Sequence, residues 1–107
     1  VYPKDYYSTN NPLFDISKVD APPKPVVQAP PVLTPDLLAL KKSALVTVEY
    51  IISKTGEVEF PLVVDSTDSR FDLITVEAVA QWKFKPAKKK GKPVNCRVRQ
   101  VFTYTHN

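Results

Sequence analysis

Between Ala44 and Ser53 the chain alternates: Val46, Val48, Tyr50 and Ile52 are interleaved with Thr47, Glu49, Ile51 and Ser53. A period of two with β-branched residues predicts a strand with one buried face. Ser53-Lys54-Thr55-Gly56 follows, and Gly56 can take the positive φ that a tight hairpin requires. Val58, Phe60, Leu62 and Val64 then alternate with Glu57, Glu59, Pro61, Val63 and Asp65, which predicts the second strand of the hairpin. After a break at residues 66–69 the period lengthens. Over residues 70–82 Phe71, Ile74, Ala78, Val79 and Trp82 share one side of a helix, while Leu73, Val76 and Ala80 fall on the other. Such a helix calls for cover on its second side, and the N-terminal tail is the candidate. Ser69 and Asp72 have capping-box spacing at its start. Val94 to Thr105 is a third strand, with Val94, Cys96, Val98, Phe102 and Tyr104 on one face. Gln100 interrupts that face and marks either a bulge or the rim of the core. Ahead of the hairpin, Thr34 and Pro35 combine a hydroxyl cap with a first-turn proline, predicting a short helix from Asp36 to about Lys42.

Residues 1–35 hold eight of the eleven prolines. The run PPKPVVQAPPVLTP at 22–35 favours an extended, stiff segment. Tyr2, Tyr6, Tyr7, Leu13, Phe14 and Ile16 are apolar enough to pack on the domain. The reading is therefore a Pro-rich tail over 1–33 and a folded domain over 34–107.

The order strand, strand, helix, strand fixes the expected topology. A right-handed crossover from the second strand sets the third on the far side of the first. The expected fold is α+β: a three-stranded antiparallel sheet, order 2-1-3, packed on one main helix, with a short N-terminal helix and a Pro-rich tail. The second and third strands are then edges, and edges invite pairing unless blunted by proline or charge. Pro61 blunts the second. The third has no proline between Val94 and Thr105, and Arg97 and Arg99 deter self-pairing by repulsion. A partner strand carrying acidic residues would relieve that repulsion. The candidate site for strand addition is the edge formed by Val94, Asn95, Arg97, Arg99, Val101 and Thr103.

Net charge is +4, and it is segregated. Lys83 to the C-terminus holds eight basic residues and no acid. Lys88, Lys89, Lys90 and Lys92 form a basic turn that is either a solvated loop or a surface for an acidic partner, anionic lipid or nucleic acid. A lone Cys96 excludes an intrachain disulfide, and with one histidine and no methionine no metal centre or cofactor is expected. Asp65, Asp68 and Asp72 suit a helix terminus better than a metal. His106 has no nucleophile or carboxylate pattern around it, so no enzyme activity is expected. No run of about 20 apolar residues spans a membrane.

The stretch from Val46 to Val94 resembles the C-terminal domain of the TonB family. The resemblance rests on the valine-rich strand, Gly56-Glu57-Val58, Val64-Asp65-Ser66, Ala78-Val79 followed by Trp82-x-Phe84-x-Pro86, and Gly91-Lys92-Pro93-Val94. It covers about residues 31–105. It implies a periplasmic energy transducer, anchored in the inner membrane and coupled to a proton-driven motor complex. In that family the last strand of the domain pairs with the TonB box of an outer-membrane transporter, as in siderophore transport. The family's Tyr-Pro ahead of the first strand is Thr34-Pro35 here, and a glycine usual before that strand is Ala44. Two other readings stay open. One is a periplasmic scaffold or sensor reusing the fold. The other, a basic nucleic-acid-binding domain, is disfavoured because Trp82 and Phe84 sit at core spacing. An open third strand can also pair with its own copy, giving a homodimer.

Overall fold

The computed structural model describes residues 12–106, so Tyr2, Tyr6 and Tyr7 lie outside the described residues. The elements are β1 (Leu13–Asp15), β2 (Lys24–Val27), α1 (Pro35–Ala39), β3 (Ala44–Ile52), β4 (Val58–Ser66), α2 (Asp72–Ala80), β5 (Lys83–Lys85), β6 (Ala87–Lys89) and β7 (Lys92–Tyr104). The three expected strands are β3, β4 and β7, in the expected order β4-β3-β7. The sheet is larger than expected and not antiparallel throughout. β1 adds parallel beyond β7, β6 pairs with the start of β7, and β2 and β5 form a separate antiparallel ribbon.

Alternation identified the core face of β3, but the opposite face is not open throughout, since Ile51 and Ser53 are buried as well. Val46, Val48, Tyr50 and Ile52 are buried and face α2, where Phe71, Thr75, Val79 and Trp82 complete the core. On β4 alternation misleads. Phe60 and Pro61 oppose Tyr50 alone, because Glu49 pairs with Leu62 and Ile51 with Glu59. A second irregularity leaves Val64 between the Thr47–Asp65 and Val48–Val63 pairs. Each extra residue reverses which side chains face the core. Val58 and Val63 pack inward, whereas Phe60, Leu62 and Val64 are 46%, 57% and 38% exposed. Pro61 thus sits in a bulge on an edge strand, where a missing N–H is tolerated.

Gln100 marks the rim of the core. The β3–β7 register runs unbroken from Ala44–Tyr104 to Ile52–Cys96. The Gln100 Oε1 accepts a 2.9 Å hydrogen bond from the Tyr50 hydroxyl, whose pKa burial pushes up to about 12. Thr34 caps α1 as expected, accepting from the Leu37 N–H at 3.3 Å. The Ser69–Asp72 capping box does not form. Asp68 caps the preceding 3₁₀ turn (Ser69–Phe71) instead, and Asp72 accepts from the Ser66 hydroxyl at 2.6 Å.

The proline-rich segment is extended, as its composition dictates, but it packs on the domain. The Ala29 carbonyl accepts from Trp82 Nε1 at 2.7 Å, and Ala29, Pro30 and Val32 lie beside Ile74 and Ala78 of α2. The second side of α2 is only partly covered, since Leu73 stays 66% exposed.

Asp68 gives the fold a pH dependence. The Arg70 side chain and backbone N–H hold its carboxyl well below the usual carboxylate range. The folded state therefore binds this proton more weakly than the unfolded chain. Its stabilisation is complete above the ordinary value of 3.8 and fades as pH falls through the depressed folded value. An acid titration of stability is expected to be shallower for Asp68→Asn than for the unmodified chain below about pH 4. Equal slopes would show that Asp68 does not carry this linkage.

Candidate functional site

The direction of the β7 backbone follows from its neighbour. The Leu45 carbonyl accepts from the Thr67 N–H at 2.9 Å, so Leu45 faces β4, and Val46 and Ala44 face β7. Antiparallel pairing then turns the backbone groups of Asn95, Arg97, Arg99, Val101 and Thr103 away from β3, onto the outer edge. This odd-numbered set is the one expected from sequence, apart from Val94.

That edge is not uniformly open. Val94 pairs with Ala87 of β6. Leu13, Phe14 and Asp15 of β1 lie opposite Asn95, Cys96 and Arg97. Asn95 is buried, accepting from the Lys54 N–H at 2.9 Å and donating to the Pro12 carbonyl at 3.4 Å. It ties the β3–β4 turn and the N-terminal segment to β7. Beyond Arg97 the N-terminal chain leaves the strand conformation in a 3₁₀ turn at Ile16–Lys18, whose Ile16 and Ser17 line one recess with Arg97 and Arg99. From Arg99 to Thr103 no strand pairs with the outer edge among the described residues.

The charges expected to deter self-pairing, Arg97 and Arg99, are already met by carboxylates within the chain. Arg97 donates to Asp15 Oδ1 from Nε at 2.9 Å and from its terminal nitrogen at 2.7 Å. Arg99 donates to Glu49 Oε1 at 3.1 Å, directly across the β3–β7 register. Asp15 and Glu49 were not candidates from sequence. For Glu49 the signal was present, because pairing in order 2-1-3 sets the first strand beside the third. For Asp15 it was absent, because nothing local marks three residues as a strand. Further along, Val101 is 57% exposed, so the open edge passes from charged to apolar.

Cys96 is fully buried, and burial, with the Asp15 charge behind it, pushes its thiol up to about 11. A neutral thiol at that depth is a packing group rather than a nucleophile. The backbone N–H of His106 donates to Ser43 Oγ at 3.2 Å. The basic-turn residues follow: Lys88 and Lys89 in β6, Lys90 in the turn, and Lys92 opening β7. Trp82 and Phe84 are buried and offer no stacking surface beside those lysines. No described helix is long and apolar enough to cross a membrane.

Comparison with known proteins agrees with this architecture. The solution NMR structure of the Pseudomonas aeruginosa TonB CTD superimposes with a TM-score of 0.69 at 26% identity, covering 85% of this chain and 91% of that one. No curated protein sequence matches significantly. The family model for the Gram-negative bacterial TonB protein C-terminal matches residues 35–105, and the chain belongs to that family.

Proposed function

We propose that this domain is the non-catalytic partner-binding module of a periplasmic TonB-type energy transducer, and that it takes an extended segment of an outer-membrane transporter onto the outer edge of β7. The observation that carries the reading is the backbone from Arg99 to Thr103. Its outward N–H and C=O groups have no strand beside them among the described residues, while the inner edge is paired throughout. Strand addition satisfies such groups. β1 supplies an example from within the chain, on the adjoining residues of the same edge. In this reading the TonB box pairs along Arg99, Val101 and Thr103, and must displace β1 to extend to Arg97 and Asn95. The proton-motor complex of the inner membrane would act through a part of the transducer N-terminal to this domain.

The test is amide chemical-shift mapping of the labelled domain with peptides carrying TonB boxes. Shifts are expected along Arg99 to Tyr104. Val101→Pro removes one outward N–H and leaves the β3 ladder intact, so binding should fall at least about tenfold with the fold retained. Phe14→Pro should have the opposite effect. Phe14 lies between the outward-facing Asn95 and Arg97, and unpairing it frees their edge, so affinity rises and shifts spread to Asn95. A monomeric domain that responds to no box peptide would sink the transducer reading. A dimer through β7 would instead make this edge a self-association surface.

A further inference from the structure

Residues 18–27 and 83–92 close on each other as two short ribbons. β2 pairs with β5, Ala21 bridges to Lys88, and the Lys90 N–H donates to Asp20 Oδ2 at 2.6 Å. The corner they form carries eight of the chain's fifteen basic residues, all of them lysines. Two carboxylates answer them: Asp20 lies 3.5 Å from Lys89 and Glu57 3.5 Å from Lys83. No carboxylate is within ion-pair distance of Lys24, Lys85, Lys88 or Lys92 among the described residues.

Three local choices here work against stability. Lys24 lies opposite Lys85, and Lys89 opposite Lys92. Like charges directly across a sheet repel. Lys90 and Gly91 form the two-residue turn between β6 and β7, with φ of 52° and 78°. A turn with positive φ at both central positions favours Asn or Asp at the first, and a lysine there is strained. Local rules broken together on one surface point to an external anion that compensates them. The same ribbon exposes aliphatic surface, with Val26 61% and Val27 46% accessible on β2. Lysines around exposed aliphatics suit a lipid interface, where ammonium groups meet phosphates and the apolar side chains enter the headgroup layer.

We propose that this lysine corner docks on an anionic bilayer surface, with Val26 and Val27 entering the interface. It lies at the Lys92 end of β7, roughly 30 Å along the strand from Val101, so a domain could hold a membrane here and a peptide at its edge at once.

Flotation of the full chain with phosphatidylglycerol-containing vesicles, against pure phosphatidylcholine vesicles, tests this. Binding is expected to the anionic vesicles and to fall with salt. Each lysine near the surface contributes about fivefold, so Lys24→Gln/Lys85→Gln/Lys92→Gln should weaken partitioning about 100-fold. That variant should melt no lower than the unmodified chain, since it removes both like-charge pairs. Lys90→Asn should bind about fivefold more weakly and yet melt higher. Val26→Ser/Val27→Ser should abolish the binding that survives high salt. Equal binding to both vesicle types, or an unaffected triple variant, overturns the proposal. So would equally strong binding to duplex DNA that is indifferent to Val26 and Val27, which would reassign the corner to nucleic acid.

Discussion

Trp82→Ala is expected to cost roughly 3–5 kcal/mol, a large part of the stability of a domain this size. Trp82 is 3% exposed, and its ring lies 6.2 Å from Tyr50, 6.3 Å from Phe84 and 5.7 Å from Phe102 by centroid. It therefore joins β3, β5 and β7 beneath α2. Alanine leaves a cavity that three surrounding aromatic rings cannot easily fill. The indole N–H also ties the N-terminal segment to the core at Ala29. Trp82→Phe separates these roles, keeping most of the ring and losing the donor. It should cost only about 1–2 kcal/mol, because Ala29 is exposed and water can replace the indole. Thermal melts should show Trp82→Ala roughly 15–30 °C below the unmodified chain. Similar melting of the two variants would mean that the tether, not the packing, is the main contribution.

Gly56→Ala is expected to cost roughly 2–5 kcal/mol, from two causes that add. The backbone there has φ of +88°, and a Cβ would sit 1.9 Å from the Phe84 carbonyl oxygen. The obstacle is backbone, so no side-chain rotation relieves it. Gly56 also accepts a 2.8 Å hydrogen bond from the Phe84 N–H, so moving the turn away breaks that contact. Gly91 is the internal control. Its φ is +78° but nothing lies within 4 Å of its Cβ position. Gly91→Ala therefore feels only the backbone preference, about 1–2 kcal/mol. Denaturant melts of the two variants should differ by the steric part. Equal losses would show that the turn adjusts and the approach to Phe84 is not a constraint.

These two sites explain why the sequence features that led to the family lie where they do. Gly56-Glu57-Val58 and Trp82-x-Phe84-x-Pro86 are far apart in the chain. In the fold they meet, with Gly56 bonded to Phe84 and Glu57 bridged to Lys83. The first motif opens β4 and the second lays β5 across the turn.

The sequence by itself determined the frame: β3, α2, β7, the Thr34-capped α1 and the order β4-β3-β7. Each of these elements is long enough to show its period, or has a cap that acts within a few residues. It also placed Arg99, Val101 and Thr103 on the open edge, because alternation along β7 continues without a bulge. The tertiary structure decided the rest. β1 is three residues long and has no periodic signal, because its conformation comes from pairing with β7 some 80 residues away. That pairing withdrew Asn95 and Arg97 from the open edge and gave Arg97 its carboxylate. The bulge at Phe60, whose φ is 53°, turned Leu62 and Val64 outward where alternation alone would keep one face throughout. Period and capping are local preferences, readable in a window of residues. Edge cover, bulges and cross-strand charge pairs arise between distant segments, and only the packed chain settles them.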